Sequence, residues 1–193
     1  MALTATPYGL KPVGVLSNRS YNAGIRQVKI ASGLATNIFR GDLVKILSSG
    51  TIDKETGTTS TTANALLGVF MGVEYTDPNL NYLVHRNFWP TGTVAADAYA
   101  YVYDDPFGVF QVQADAALAQ TNIGNNIALV QNAGSTVNGM SRVALSASSA
   151  ATTNTLPLKI VGFADNTTIS DTYPDVLVTY NAGMHHYLSA TGI

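Results

Sequence analysis

The stretch Tyr99-Ala-Tyr-Val-Tyr-Asp-Asp-Pro-Phe-Gly-Val-Phe-Gln-Val-Gln113 decides the fold class. Its first five residues put Tyr99, Tyr101 and Tyr103 on one side of an extended chain and Ala100 and Val102 on the other, the period of two that belongs to strands. Residues 104–108 then supply the Asp, Pro and Gly that turns demand, and Phe110 and Val112 alternate with Gln111 and Gln113. Two alternating segments joined so closely predict a β-hairpin. Outward from this stretch, short runs of β-branched and aromatic residues bounded by Gly, Asn, Asp and Ser recur at 26–30, 43–47, 66–74, 82–85, 91–95, 126–131, 140–145, 158–163 and 175–180. The total is about eleven strands. Only residues 115–120 suggest helix, a single turn capped by Asp115 and ended near Gly124. The chain is therefore read as all-β with a minor short helix, its topology open between barrel, tulip and sandwich.

Two of the strands echo each other. Leu66-Leu-Gly-Val-Phe-Met-Gly-Val-Glu-Tyr-Thr-Asp77 and Leu158-Lys-Ile-Val-Gly-Phe-Ala-Asp165 both run apolar, through glycine, into an acidic turn. Glycine inside a strand points to a bulge or a close backbone approach.

Residues 1–24 are punctuated by Pro7, Gly9, Pro12, Gly14 and Gly24 and read as an extended N-terminal arm, with 25–193 as a single β domain and a possible subdivision near 146–155. Tyr8, Leu10, Val13, Val15 and Leu16 make the arm too apolar for a solvated tail. It either packs on its own domain or reaches a partner; the second reading expects that deleting residues 1–20 leaves the domain folded. Two low-complexity loops, 54–64 rich in Thr and 146–155 built from Ser, Ala and Thr, are expected to be mobile or held by a partner.

Composition narrows the function. Charged residues make up 11% of the chain, against about 25% in ordinary soluble domains, while hydrophobic residues stay at 46%. Such a chain folds, and its surface is largely neutral. A formal charge of −2 with no basic run gives no electrostatic footprint for nucleic acid. The absence of cysteine removes disulfides, thiolate metal sites and thiol nucleophiles together. The N-terminal sequence lacks the pattern of a secretory signal and no stretch approaches the length of a membrane span, so a soluble, unprocessed chain made in the cytoplasm is expected. With little charge to keep surfaces apart, burial against neighbours is expected as well.

A search for chemistry returns no catalytic, metal or cofactor residues. His185 and His186 are adjacent, and adjacent strand residues point to opposite faces, which is poor placement for chelating one metal. Asp104 and Asp105 precede Pro106, where a turn asks for Asp in any case, and the segment lacks the alternating oxygen donors of a calcium loop. Phosphate-loop, dinucleotide and nucleophile-elbow glycine patterns are missing. Phe88 and Trp89, following His85 and Arg86, form the densest aromatic and cationic patch; they are either a surface platform or a core plug.

Several segments together carry a resemblance. Ala5-Thr-Pro-Tyr-Gly-Leu-Lys-Pro-Val13, Phe39-Arg-Gly-Asp-Leu-Val-Lys45, Leu67-Gly-Val-Phe-Met-Gly-Val73 and Val176-Leu-Val-Thr-Tyr-Asn-Ala-Gly-Met-His-His-Tyr-Leu188 resemble small virion structural proteins of tailed bacteriophages, above all the head decoration, or cement, proteins. The resemblance implies a barrel or tulip-like domain that assembles, often as a homotrimer, on the capsid exterior and bridges neighbouring copies of the major capsid protein. It implies no catalytic residues, cofactor, direct nucleic-acid contact or membrane. A tail-tube or neck protein of the same kind of virion is the nearest alternative. A carbohydrate-binding β-sandwich, resting on Trp89 and the three tyrosines, is another, and a hydrolase with a distributed site comes last.

Overall fold

A computed structural model gives the fold and describes residues 4–16, 24–58, 65–169 and 171–193. In chain order the strands are β1 (Lys11–Val15), β2 (Ile25–Lys29), β3 (Ile38–Phe39), β4 (Leu43–Ile46), β5 (Ile52–Lys54), β6 (Leu66–Thr76), β7 (Leu83–Arg86), β8 (Phe88–Trp89), β9 (Tyr99–Tyr103), β10 (Gly108–Gln113), β11 (Asn126–Ile127), β12 (Leu129–Val130), β13 (Ala144–Leu145), β14 (Leu158–Phe163) and β15 (Asp175–Tyr180). One sheet runs β1-β10-β15-β14-β11; a second runs β2-β9-β6-β4-β5, with β7 also on β6. The pairs β3-β8 and β12-β13 stand apart. Every strand pair is antiparallel, and the chain is all-β and sandwich-like without a closed barrel.

Two apolar clusters explain the order of the layers. Between the sheets lie Phe110, Val112, Leu158, Ile160, Val176 and Val178 from the first, against Leu43, Leu66, Val69 and Tyr103 from the second. On the far face of the second sheet, Val44, Leu67, Phe70, Val73, Ala100 and Val102 pack with Ile38 and Trp89. β6, at the middle of the second sheet, is thus buried on both faces, which is why it reads as a nearly unbroken apolar run. Each fully buried Leu, Val or Phe here contributes about 1.5–3 kcal/mol of apolar transfer. A parallel bridge from Ile30 to Ile52 brings the end of β2 back beside β5, so the sheet curls around the second cluster.

The hairpin expected over residues 99–113 does not form. β9 pairs with β2 and β6, whereas β10 pairs with β1 and β15, and residues 104–107 carry the chain from one sheet to the other. The turn chemistry is as read, with Asp105 Oδ1 accepting the Phe107 N–H at 2.9 Å and the Asp105 carbonyl accepting the Gly108 N–H at 2.9 Å. Packing decides the rest. Tyr103 and Phe110 instead meet edge to face across the inter-sheet space, centroids 5.5 Å apart, each from its own sheet.

Residues 4–16 belong to the domain. β1 is the edge strand of the first sheet, and Leu10 is only 2% exposed within its core. The Gly9 N–H bonds the Val143 carbonyl, and Gly9 has φ +77° with Ser141 and the Gly41 carbonyl where a Cβ would sit, so the segment is clamped rather than free. No boundary falls at 146–155: β14 and β15 lie beyond it yet pair with β11 and β10. That loop is also held by its own chain. Ala151 and Asn126 exchange backbone hydrogen bonds of 2.8 and 3.0 Å, Asn126 Nδ2 donates to the Thr153 carbonyl at 2.9 Å, and Ala147 N–H donates to Asp115 Oδ1 at 2.8 Å. Of the Thr-rich loop, residues 59–64 lie outside the described residues. The helical turn expected at 115–120 appears instead as a 3₁₀ turn at Gln120–Asn122. Both echoing strands carry a bulge beside a glycine, between Phe70 and Gly72 in β6 and between Ile160 and Gly162 in β14.

Candidate interaction surfaces

The sequence-predicted residues fall into three groups. Tyr8 and Leu10 face inward: the Tyr8 hydroxyl donates to Asp175 Oδ1 at 2.9 Å, and burial with the adjacent carboxylate pushes its pKa above the usual phenol range. Val13 and Leu16, 42% and 48% exposed, face solvent, and Val15 is half-buried. The edge that β1 offers is blunted, since Pro12 has no N–H and the pairing with β10 shifts register between Pro12 and Gly14. Strand addition by a partner is disfavoured there.

Phe88 and Trp89 form no platform. Trp89 is 0% exposed, its indole N–H points at the Leu34 carbonyl at 3.4 Å, and its ring meets Tyr75 edge-on at 5.3 Å. Phe88 is half-buried and stacks on Phe39 at 5.5 Å. The expected glycan surface is therefore a core plug, and Tyr103 is buried in the other cluster, between the sheets; of the three tyrosines only Tyr99 and Tyr101 keep exposed area.

The acidic and histidine residues are spent on architecture. Asp42, 1% exposed at the start of β4, accepts the Phe39 N–H at 2.9 Å, the Ser141 hydroxyl at 2.6 Å and the Lys54 ammonium at 3.0 Å. It ties β3, β5 and the 141–143 segment to one point. Glu55 accepts the Gly57 N–H at 2.9 Å with Lys45 at 3.8 Å. Asp175 gathers Tyr8, Gln111 and Asn166. Asp104 pairs with Arg26, which also meets the Tyr187 hydroxyl; burial raises the Asp104 pKa against the pull of that guanidinium. His185 is buried and His186 half-buried, but the strand expected here is absent: His185 caps a 3₁₀ turn at His186–Leu188, so the two rings diverge for a different reason. Among the described residues no three His, Cys, Asp or Glu side chains converge as metal ligands, and no helix is long and apolar enough to cross a membrane.

What the sequence reading missed is a pair of surfaces at opposite ends of β9. At its C-terminal end Leu16, Ile25, Phe107 and Tyr187 are exposed around the inter-sheet turn. At its N-terminal end, near the β6–β7 connection, Leu80, Leu83 and Val94 are exposed beside a cleft of about 500 Å³ lined by Tyr75, Asp77, Pro78, Arg86 and Pro90. Arg86 reaches Asp77 at 3.1 Å and lies 5.9 Å from the Tyr75 ring centre. The only signal for either surface was the placement of single apolar residues in turns, which pattern reading treats as noise. No protein-family model, curated protein or solved structure matches the chain.

Proposed function

We propose that the chain is a non-enzymatic structural protein of a tailed-phage virion that binds the capsid exterior as a homo-oligomer, a trimer being favoured, and bridges neighbouring major capsid subunits. It is made in the host cytoplasm and has no direct nucleic-acid or membrane partner. The observation that supports this reading is the use made of the few charged groups. Asp42, Glu55, Asp77, Asp104 and Asp175 are all buried and tied to other segments, so the outer surface carries few charges, chiefly cations such as Lys11, Lys29, Arg40, Arg142 and Lys159, among exposed Leu, Val, Phe and Tyr. Such a surface binds by shape and apolar contact, and repetition over a shell turns modest contacts into stable attachment. The segments that carry the resemblance meet inside the fold, Gly9 against Gly41 and the Gly41 N–H on the Phe70 carbonyl at 2.8 Å, so they act as scaffold for that surface.

The test is cosedimentation of the purified chain with expanded, empty heads of the source phage. Saturable binding at a ratio set by the shell's local symmetry axes is expected. Absence of binding, with the isolated chain forming rings or tubes, would favour the tail-tube or neck assignment instead.

A further inference from the structure

At one open edge of the sandwich three segments meet. β1 closes that side of the first sheet, Arg40 and Gly41 lead into β4 of the second, and Met71 sits at the bulge of β6. Between them is a cleft of about 300 Å³ whose apolar lining comes from Tyr8, Leu10, Met71 and Met140 and whose charge comes from Lys11 and Arg40. Both cations are exposed, and among the described residues neither has an ion-pair partner and no carboxylate lines the cleft. The carboxylates tied to this lining are already engaged behind it. Asp175, on the Tyr8 hydroxyl, is buried and also holds Gln111 and Asn166; Asp42, next to Gly41, is buried with Lys54 and Ser141. Arg26 and Arg86 differ in this respect, since each is matched by Asp104 or Asp77.

We propose that this cleft docks an acidic segment of a partner protein, with an Asp or Glu carboxylate meeting Lys11 and Arg40 and an adjoining apolar side chain resting on Met71 and Met140. Charge selects the carboxylate, because any occupant that covers the cleft strips water from two unmatched cations and only an anion offsets that cost. The lining selects against a bare inorganic anion, which gains nothing by covering methionine. Thioether side chains adapt to the apolar shape that arrives. Continuity selects a chain over a small molecule: Val13 and Leu16, 42% and 48% exposed, extend the apolar strip along β1 beyond the cleft. Pro12 and the register shift beside it keep this edge from adding a strand, so the segment is held by its side chains.

The rim is fixed before anything binds. Arg40 N–H bonds the Asn87 carbonyl at 2.9 Å, the Arg40 carbonyl accepts the Ser141 N–H at 2.9 Å, and Gly41 N–H bonds the Phe70 carbonyl at 2.8 Å, so little conformational freedom is lost on docking. Pairs made inside the cleft are partly buried, and salt screens them less than exposed pairs. This names the chemistry of a partner for the attachment surface of the proposed function and stands without the capsid reading.

A displayed library of random linear peptides, selected on the full chain and counter-selected on Arg40→Glu, tests it. The recovered peptides are expected to carry Asp or Glu flanked by apolar residues. In titration calorimetry with the consensus peptide, Lys11→Gln, Arg40→Gln and amidation of the peptide's acidic side chain should each weaken binding about tenfold, the loss of one charge-assisted contact. Lys159→Gln removes an exposed cation outside the cleft and should leave affinity unchanged. Melting curves check the variants, and Lys11→Gln decides alone if Arg40→Gln disturbs the fold. A selection that enriches nothing, peptides without acidic residues, or an affinity indifferent to Lys11 and Arg40 would each overturn the proposal. So would competition by inorganic phosphate or octanoate as strong as by the peptide itself, or self-association of the free chain that Arg40→Gln abolishes, which would make a second copy the occupant. The peptide assay needs no heads, so its failure leaves the capsid reading standing, and peptide binding without head binding would sink the capsid reading alone.

Discussion

Acid should destabilise the fold through His185. The ring is fully buried, its Nδ1 accepts the Tyr187 N–H at 3.2 Å, and it packs 4.7 Å from Tyr180 and 5.5 Å from Tyr187, centre to centre. Burial pushes its pKa from 6.5 down to about 4, with His186 acting in the same direction and the Leu67 backbone and Asp105 opposing. The folded state thus binds this proton less tightly than the unfolded chain. The stabilisation from keeping the ring neutral is complete above the unfolded pKa and is lost as pH falls through the window from 6.5 to about 4. At 1.36 kcal/mol per pH unit the whole window is worth roughly 3 kcal/mol, most of it gone by about pH 4.5. Urea unfolding of the wild type and of His185→Gln, at about pH 7.5 and about pH 4.5, isolates the effect because the carboxylates common to both cancel. The wild type should lose roughly 2–3 kcal/mol more than the variant over that interval. Equal losses, within about 0.5 kcal/mol, would refute the assignment of a buried neutral imidazole.

The remaining predictions concern the scaffold. Asp42→Ala strands the Phe39 N–H, the Ser141 hydroxyl and the Lys54 ammonium and should cost about 3–5 kcal/mol by denaturant unfolding, part of it recovered by adding Lys54→Met. Trp89→Ala should cost about 3–5 kcal/mol, where loss of a surface platform would leave stability unchanged. Gly68→Ala would drive a Cβ into the Tyr103 carbonyl and the Val102 side chain, lowering the melting temperature by the equivalent of about 2–3 kcal/mol or preventing folding. Deleting residues 1–20 removes Leu10 from the core and β1 from its sheet, so a chain that melts cooperatively like the wild type would contradict the placement of that segment.

Long strands with regular alternation were legible in the sequence. The ranges 99–103, 158–163 and 175–180 match β9, β14 and β15 to the residue, since each alternates or fills a buried ladder over five or more positions. Strands of two or three residues, β3, β5 and β8, are too short to show any period. Residues 91–95 look like a strand but form a turn, because the Thr91 N–H goes to the Asn37 side chain and the Gly92 N–H to the Leu34 carbonyl. The single run expected at 126–131 splits where the Ala128 N–H turns to Ser149 Oγ. These are long-range partners, and local pattern is blind to them. The same blindness produced the false hairpin: Asp104 is a good turn residue whichever sheet the next strand joins. Trp89 was ambiguous for a related reason, as what buries it, Tyr75 and the residues around Ile38, lies far away in sequence.

Low charge has a consequence that composition alone understates. Ionic groups are scarce, and several of those present are already paired within the chain: Arg26 with Asp104, Lys54 with Asp42, Lys45 with Glu55 and Arg86 with Asp77. Little net field remains to steer a partner from a distance, so association must rest on short-range contact. Such contact survives salt, whereas exposed charge pairs are screened within about 10 Å at 0.1 M ionic strength. Exposed Phe107, Leu80 and Val94 supply apolar area for it, and the pre-paired Arg86 can enter an interface without exposing an uncompensated carboxylate. Under the proposed capsid role, attachment is expected to persist with rising salt in a cosedimentation series; dissociation on modest salt addition would mean that unpaired charges carry the binding.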